Sequence, residues 1–229
     1  MMKRCAALLG LILAPGLAFA HDFWLEPGND GLILRYGHRG GELLAIDAGK
    51  VKALRCIEKG IAKDRLSSAT FTAQEVSVPA HCAAASAFYY GGFYSLTPDG
   101  EVNLPKNEAR DAVKAWESKQ FAKWVDSQSD QAGTVLGDEF EMVPVSDIAH
   151  AREGDKVSVR VLLQGKTVSG AIITIDHRPI GETDSAGETR VRIRTSDVES
   201  ISASLRRPVS TPEADAVVFE ASLSFQVAK

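Results

Sequence analysis

A chain of 229 residues with 45% apolar and 7% aromatic residues lies in the ordinary range of folded soluble proteins and is long enough for one large or two small domains. Its formal net charge of -4 speaks against a nucleic-acid partner, which calls for a basic surface. Past the first twenty residues no apolar run reaches the roughly 20 residues that a membrane-spanning helix needs.

Residues 1–20 combine a basic start (Lys3, Arg4), an apolar stretch from Ala6 to Leu17 and the small-residue ending Ala18-Phe19-Ala20. This is the pattern of a secretory signal peptide, here cut after Ala20. Of the 26 lysines and arginines, Lys3 and Arg4 would leave with it, so 24 would face 30 acids in the mature chain. The mature chain would open His21-Asp22-Phe23-Trp24. A terminal histidine offers two nitrogens, the α-amine and imidazole Nδ1, and together they can close a chelate ring on Ni, Co, Cu or Zn. The alternative is that some residue must follow the cut and a histidine happens to do so. Cys5 would leave with the signal, which leaves Cys56 and Cys82 as an even pair in an exported protein. One disulfide is the expectation, with a thiolate metal site as its rival.

From Phe23 to Thr97 the chain reads as short strands separated by turns. Leu32 to Tyr36 is rich in strand formers and stops at Gly37. Val51 to Ile57 and Ala69 to Val78 alternate weakly. Ser86 to Leu96 is aromatic and is broken by Gly91-Gly92, which marks a bulge or tight bend. Between Asn107 and Gln128, Ala109, Val113, Trp116, Phe121, Trp124 and Val125 recur near helical spacing with charged residues between them, so one amphipathic helix is expected there, with Asn107 as its N-cap. Residues 127–137 read as a linker. After Gly137 alternation is regular, from Val157-Val159-Val161 through Val217, Phe219, Ala221, Leu223 and Phe225. With Gly, Pro, Asp and Ser in the turns, this describes a β-sandwich. The expected architecture is therefore mainly β: an N-terminal β-rich domain (21–137) carrying the helix, and a C-terminal Ig-like sandwich (138–229).

The five histidines are His21, His38, His81, His150 and His177. No two have the spacing of a helix-borne zinc motif, so any site must be assembled by the fold. His38 lies in the Gly-rich segment Tyr36-Gly37-His38-Arg39-Gly40-Gly41, which could serve an ion or be a plain turn. His81 precedes Cys82, and a disulfide there would fix its position; it is a candidate ligand or an exposed loop residue. His150 and His177 give little reason to bind metal. No nucleophile elbow, phosphate loop or dinucleotide fingerprint is present, so a binding protein is expected rather than an enzyme. Asp138, Glu139 and Glu141 read as a solvated face.

The opening His21-Asp22-Phe23-Trp24-Leu25-Glu26-Pro27 after a signal peptide resembles the DUF4198 family. The resemblance continues in Tyr36-Gly37-His38, in Tyr94 to Gly100, in Glu117 to Lys123, in Leu136 to Pro144, and in Gly165 to Gly187, which looks like the family's C-terminal Ig-like module. It implies metal handling in the periplasm in connection with nickel and cobalt uptake, with His21 and His38 as ligands, and with an inner-membrane metal transporter as a possible partner. The expected function is thus a periplasmic binding protein for Ni or Co. Its rivals are a copper-binding protein or copper oxygenase using the same chelate, and a scaffold or adhesion module without metal.

Overall fold

The structure, a computed structural model, describes residues 21–229; the signal peptide expected over 1–20, and Cys5 within it, lie outside the described residues. Among the described residues there are seventeen strands: β1 Asp22–Gly28, β2 Gly31–Gly37, β3 Val51–Glu58, β4 Ile61–Asp64, β5 Thr70–Phe71, β6 Glu75–Val78, β7 Ala84–Thr97, β8 Gly100–Val102, β9 Lys114–Val125, β10 Phe140–Pro144, β11 Lys156–Leu163, β12 Lys166–Thr167, β13 Ile172–Ile175, β14 Arg178–Glu182, β15 Glu188–Arg192, β16 Val198–Pro208 and β17 Ala216–Gln226. Apart from two single 3-10 turns, at Ala48–Lys50 and Leu66–Ser68, no helix forms among the described residues. None is long and apolar enough to cross a membrane.

The strands form three sheets. The central one has nine strands in the order β14-β13-β16-β17-β9-β7-β3-β4, with β8 added on β7. One four-stranded sheet, β1-β2-β6-β5, and another, β10-β11-β12 with β15 on β11, complete the fold. Successive side chains of a strand point to opposite faces, and β9 displays this directly. Phe121 and Val125 enter a core with Val157, Val159, Ile173, Leu223 and Phe225. Ala122 and Trp124 enter a second core with Leu25, Leu34, Leu54, Val76 and Val78. The central sheet is thus the shared middle layer of two sandwiches. It crosses residue 138 without a break, because β17 pairs in parallel with β9 from Ala216↔Trp116 to Phe225↔Val125.

The amphipathic helix expected over 107–128 is replaced by strand β9. The physical reason lies in its position. Between β7 and β17, and covered on both faces, its second half is buried at every position from Gln120 to Val125. A strand buried on both sides loses the period-2 signal. Apolar residues of both parities, interleaved with Lys119 and Lys123, then imitate helical spacing. The bulge expected at Gly91-Gly92 is present as a register shift between Tyr90 and Gly92. Cys56 and Cys82 form a disulfide with Cα atoms 5.3 Å apart, pinning β3 to the loop that enters β7. Asp138 and Glu141, read from sequence as a solvated face, are buried. Lys123 Nζ lies 2.6 Å from Glu141 Oε1, with both side chains at most 3% exposed. The Glu141 carboxylate also accepts hydrogen bonds from the backbone amides of Leu136 and Gly137. The residues expected to be a loose linker are therefore anchored on a buried ion pair.

Candidate functional site

His21 stands at the start of β1, which crosses the central sheet. The Ser222 hydroxyl donates to the Phe23 carbonyl at 2.6 Å, and Gln120 Nε2 donates to the His21 carbonyl at 3.2 Å. β1 pairs antiparallel with β2, placing Asp22 opposite Gly37. The strand therefore delivers His21 beside the loop that carries His38. That loop is held by local hydrogen bonds: the His38 amide donates to the Glu42 carbonyl at 2.8 Å, and the Leu44 amide to Tyr36 at 2.9 Å. Gly37 makes the turn possible. Its φ is +133°, and a Cβ there would run into the Glu42 carbonyl oxygen and the Leu44 amide nitrogen. Only glycine accepts both constraints without strain. Arg39 ties the loop to the C-terminal half, since its Nη2 donates to the Val198 carbonyl at 2.8 Å.

The third imidazole comes from the far end of the sequence. β13 and β14 form a hairpin whose two turn residues, Asp176 and His177, have φ of +48° and +60°. Two left-handed central residues are the mark of a type I′ turn, which matches the twist of its flanking strands. The turn presents His177 over the start of β1. The ring centroids of His21 and His38 are 5.1 Å apart, and those of His38 and His177 are 5.5 Å apart. His177 Nε2 lies 3.1 Å from Asp22 Oδ2. The Tyr36 hydroxyl sits 3.4 Å from His21 Nδ1, and Tyr36 stacks on Tyr89 at 5.4 Å.

The surroundings tune these groups. Burial lowers the His21 imidazole below its ordinary value near 6.5, and the neighbouring His38 lowers it further. Burial raises the Asp22 carboxyl, against which His177 and the Arg39 amide act in the opposite sense. Burial, assisted by nearby tyrosines, raises Tyr36 and brings Tyr89 to about 12. Both phenols thus stay neutral over the physiological range and serve as hydrogen-bonding walls. The lowering at His21 favours the neutral imidazole, the form in which a ring nitrogen can ligate a metal ion.

The arrangement joins His21 to His38 and adds His177. His81 is elsewhere, exposed in the loop beside Cys82 and lining a separate hollow with Pro27 and Trp124. Pro27 is six positions along β1 from His21, about 20 Å at the usual rise of a strand. His150 is exposed in the loop after β10. Among the described residues no three His, Cys, Asp or Glu side chains already converge on one point as a ligand set. The chemistry available at His21 therefore turns on its backbone nitrogen, which would be an amine only if the chain starts there. His177 was missed in sequence because nothing local links a hairpin turn to the chain start; the one readable sign was a histidine at a turn tip. Asp22 and Tyr36 could be noticed only through their adjacency to His21 and His38. A cavity of about 290 Å³ opens beside His21, Asp22 and His177. It lies on the same face of the central sheet as β1, over the rows that β9, β17, β16 and β13 contribute.

The chain matches the model of the family described as a domain of unknown function, DUF4198, over residues 18–200. No curated protein matches it, and no solved structure does. The matched span holds His21, His38 and His177 together with both cysteines and most of the three-sheet core, and on that coverage the chain belongs to the DUF4198 family.

Proposed function

We propose that the protein binds a divalent transition ion, Ni or Co, in the periplasm and supports its uptake, handing it to an inner-membrane transporter. Signal cleavage after Ala20 makes His21 the first residue, and its amine and Nδ1 close a chelate ring on the ion. His38 adds a third nitrogen, and His177 stands within reach to add a fourth. The observation that carries this reading is the 5.1 Å approach of the His21 and His38 rings at the point where the terminal amine would lie. An amine contributes a nitrogen that no side chain supplies there, so a site that is incomplete in side chains alone becomes complete on processing. Affinity order by itself favours Cu over Ni and Co, so the metal is set by what the compartment offers.

The test is the exact terminus. Protein beginning at His21, the same protein with one extra N-terminal glycine, and His38→Ala are titrated with Ni, Co and Cu. The extra glycine converts the amine to an amide and leaves every imidazole in place. It is expected to weaken binding at least as much as His38→Ala. Unchanged affinity in the glycine-extended protein would sink the terminal chelate. A preference for Cu accompanied by reductant-dependent oxygen uptake would move the reading to a copper oxygenase.

A further inference from the structure

The cavity beside His21 has a built polar end that the metal reading does not use. Strand pairing sets two rows of side chains across the face of the central sheet that carries β1. Gln120, Glu220, Ser204 and Ile172 form one row, and Ala122, Ser222, Ser202 and Thr174 the next. Gln120 is 6% exposed, and its Nε2 donates to Glu220 Oε2 at 2.7 Å and to the His21 carbonyl at 3.2 Å. A backbone carbonyl can only accept, which fixes the orientation of the amide. Gln120 Oε1 is then a buried acceptor with no partner among the described residues. Buried polar atoms are almost always satisfied, and an exception calls for an explanation. Glu220 stands beside it with a carboxyl oxygen of its own, and Asp22 adds another acceptor to the lining. Among the described residues no lysine or arginine lines the cavity, while Ile172, Pro179 and Phe23 supply apolar wall.

We propose that this cavity binds a small organic amine, its ammonium held by Gln120 Oε1 and the Glu220 carboxylate and its apolar body lying against Ile172 and Pro179. An ammonium supplies a donor to the unpartnered Gln120 Oε1, and its hydrogen bonds to the neighbouring Glu220 carboxylate are charge-assisted. A carboxylate or phosphate ligand would find donors in the hydroxyls of Thr174, Ser202 and Ser204 but would face Glu220 and Asp22 with no lysine or arginine to offset them. The site is independent of the metal reading, since neither Gln120 nor Glu220 is one of the metal ligands. An occupant would nevertheless sit against His21 and His177.

The test uses the full processed chain, stripped of metal, with hexylamine, 1-hexanol and hexanoate as probes in calorimetry and NMR titration. Hexylamine is expected to bind saturably and about tenfold or more tighter than 1-hexanol, with shifts at Gln120, Thr174 and Ser202. Glu220→Gln is expected to weaken hexylamine about tenfold and to leave 1-hexanol unchanged. Ser202→Phe, which fills the cavity while keeping both acceptors, is expected to abolish binding of hexylamine and keeps the test alive if Glu220→Gln does not fold. Equal affinity for hexylamine and 1-hexanol would overturn the proposal, as would tighter binding of hexanoate, indifference to Ser202→Phe, or the absence of saturable binding.

Discussion

His21 carries the functional reading, and its protonation is testable without any metal. Burial and His38 both act to lower its ring below 6.5. In an NMR titration of the metal-free protein its midpoint should fall below the ordinary histidine value near 6.5. The sign of the linkage follows. Between pH 6.5 and the lower folded value the unfolded chain holds the extra proton, so this histidine removes stability as pH falls through that window and has no effect above it. His21→Asn should flatten that part of the stability–pH curve; a midpoint above 6.5 would contradict the desolvated placement. Gly37 sets the neighbouring His38. Gly37→Ala combines a φ of +133° with backbone contacts that have nowhere to move, and should destabilise by about 2 kcal/mol or more. Denaturant unfolding measures the loss, and His38 should shift in the NMR spectrum before other residues do.

Among the elements, β9 decides most. It pairs with β7 on one side and β17 on the other, feeds both cores, and carries Gln120 to the cavity and Lys123 to the buried pair. Burial lowers the Lys123 ammonium, and the Glu141 carboxylate opposes that shift. Breaking one member of such a pair strands a buried charge, at about 3–5 kcal/mol. Lys123→Met should therefore be severely destabilising by denaturant unfolding, and the double variant Lys123→Met with Glu141→Leu should recover a large part of the loss. A double variant no more stable than the single would mean that the Glu141 bonds to Leu136 and Gly137, not the pair, dominate. The hairpin of β13 and β14 matters in a different way. β13 gives Ile173 and Ile175 to the C-terminal core, β14 is exposed along its length, and the turn between them alone brings His177 to the site.

At the scale of the molecule, the two halves expected from sequence share the central sheet. The C-terminal core takes Ala84, Phe121 and Val125 from the first half, and β17 takes β9 as one of its two neighbours. A fragment from Asp138 to Lys229 would lose those side chains and leave one edge of β17 unpaired, a ready template for association. We expect it to unfold at lower denaturant than the whole chain and to self-associate. Supplying residues 114–126 as a peptide should raise its midpoint. A monomeric fragment as stable as the full chain would show that the C-terminal sandwich needs nothing from β9. The Cys56–Cys82 bridge closes a loop of sequence separation 26 inside the other core, and in the chain-entropy view contributes about 3 kcal/mol.

The β class, the disulfide pair and the bulge at Gly91-Gly92 were legible in sequence, because each rests on local alternation, composition or backbone preference. His21 and His38 were readable as candidates for a similar reason: one follows a processing signature and the other sits among glycines. The tertiary structure alone decided that residues 114–125 are a strand, since burial on both faces erases the period that would have announced it. It alone brought His177 to His38, buried Lys123 against Glu141, and set Gln120 beside Glu220. None of these pairings is local: the first needs the β13-β14 turn over the start of β1, the second needs β10 brought against β9, and the third exists only where β17 lies beside β9, so no local pattern encodes them.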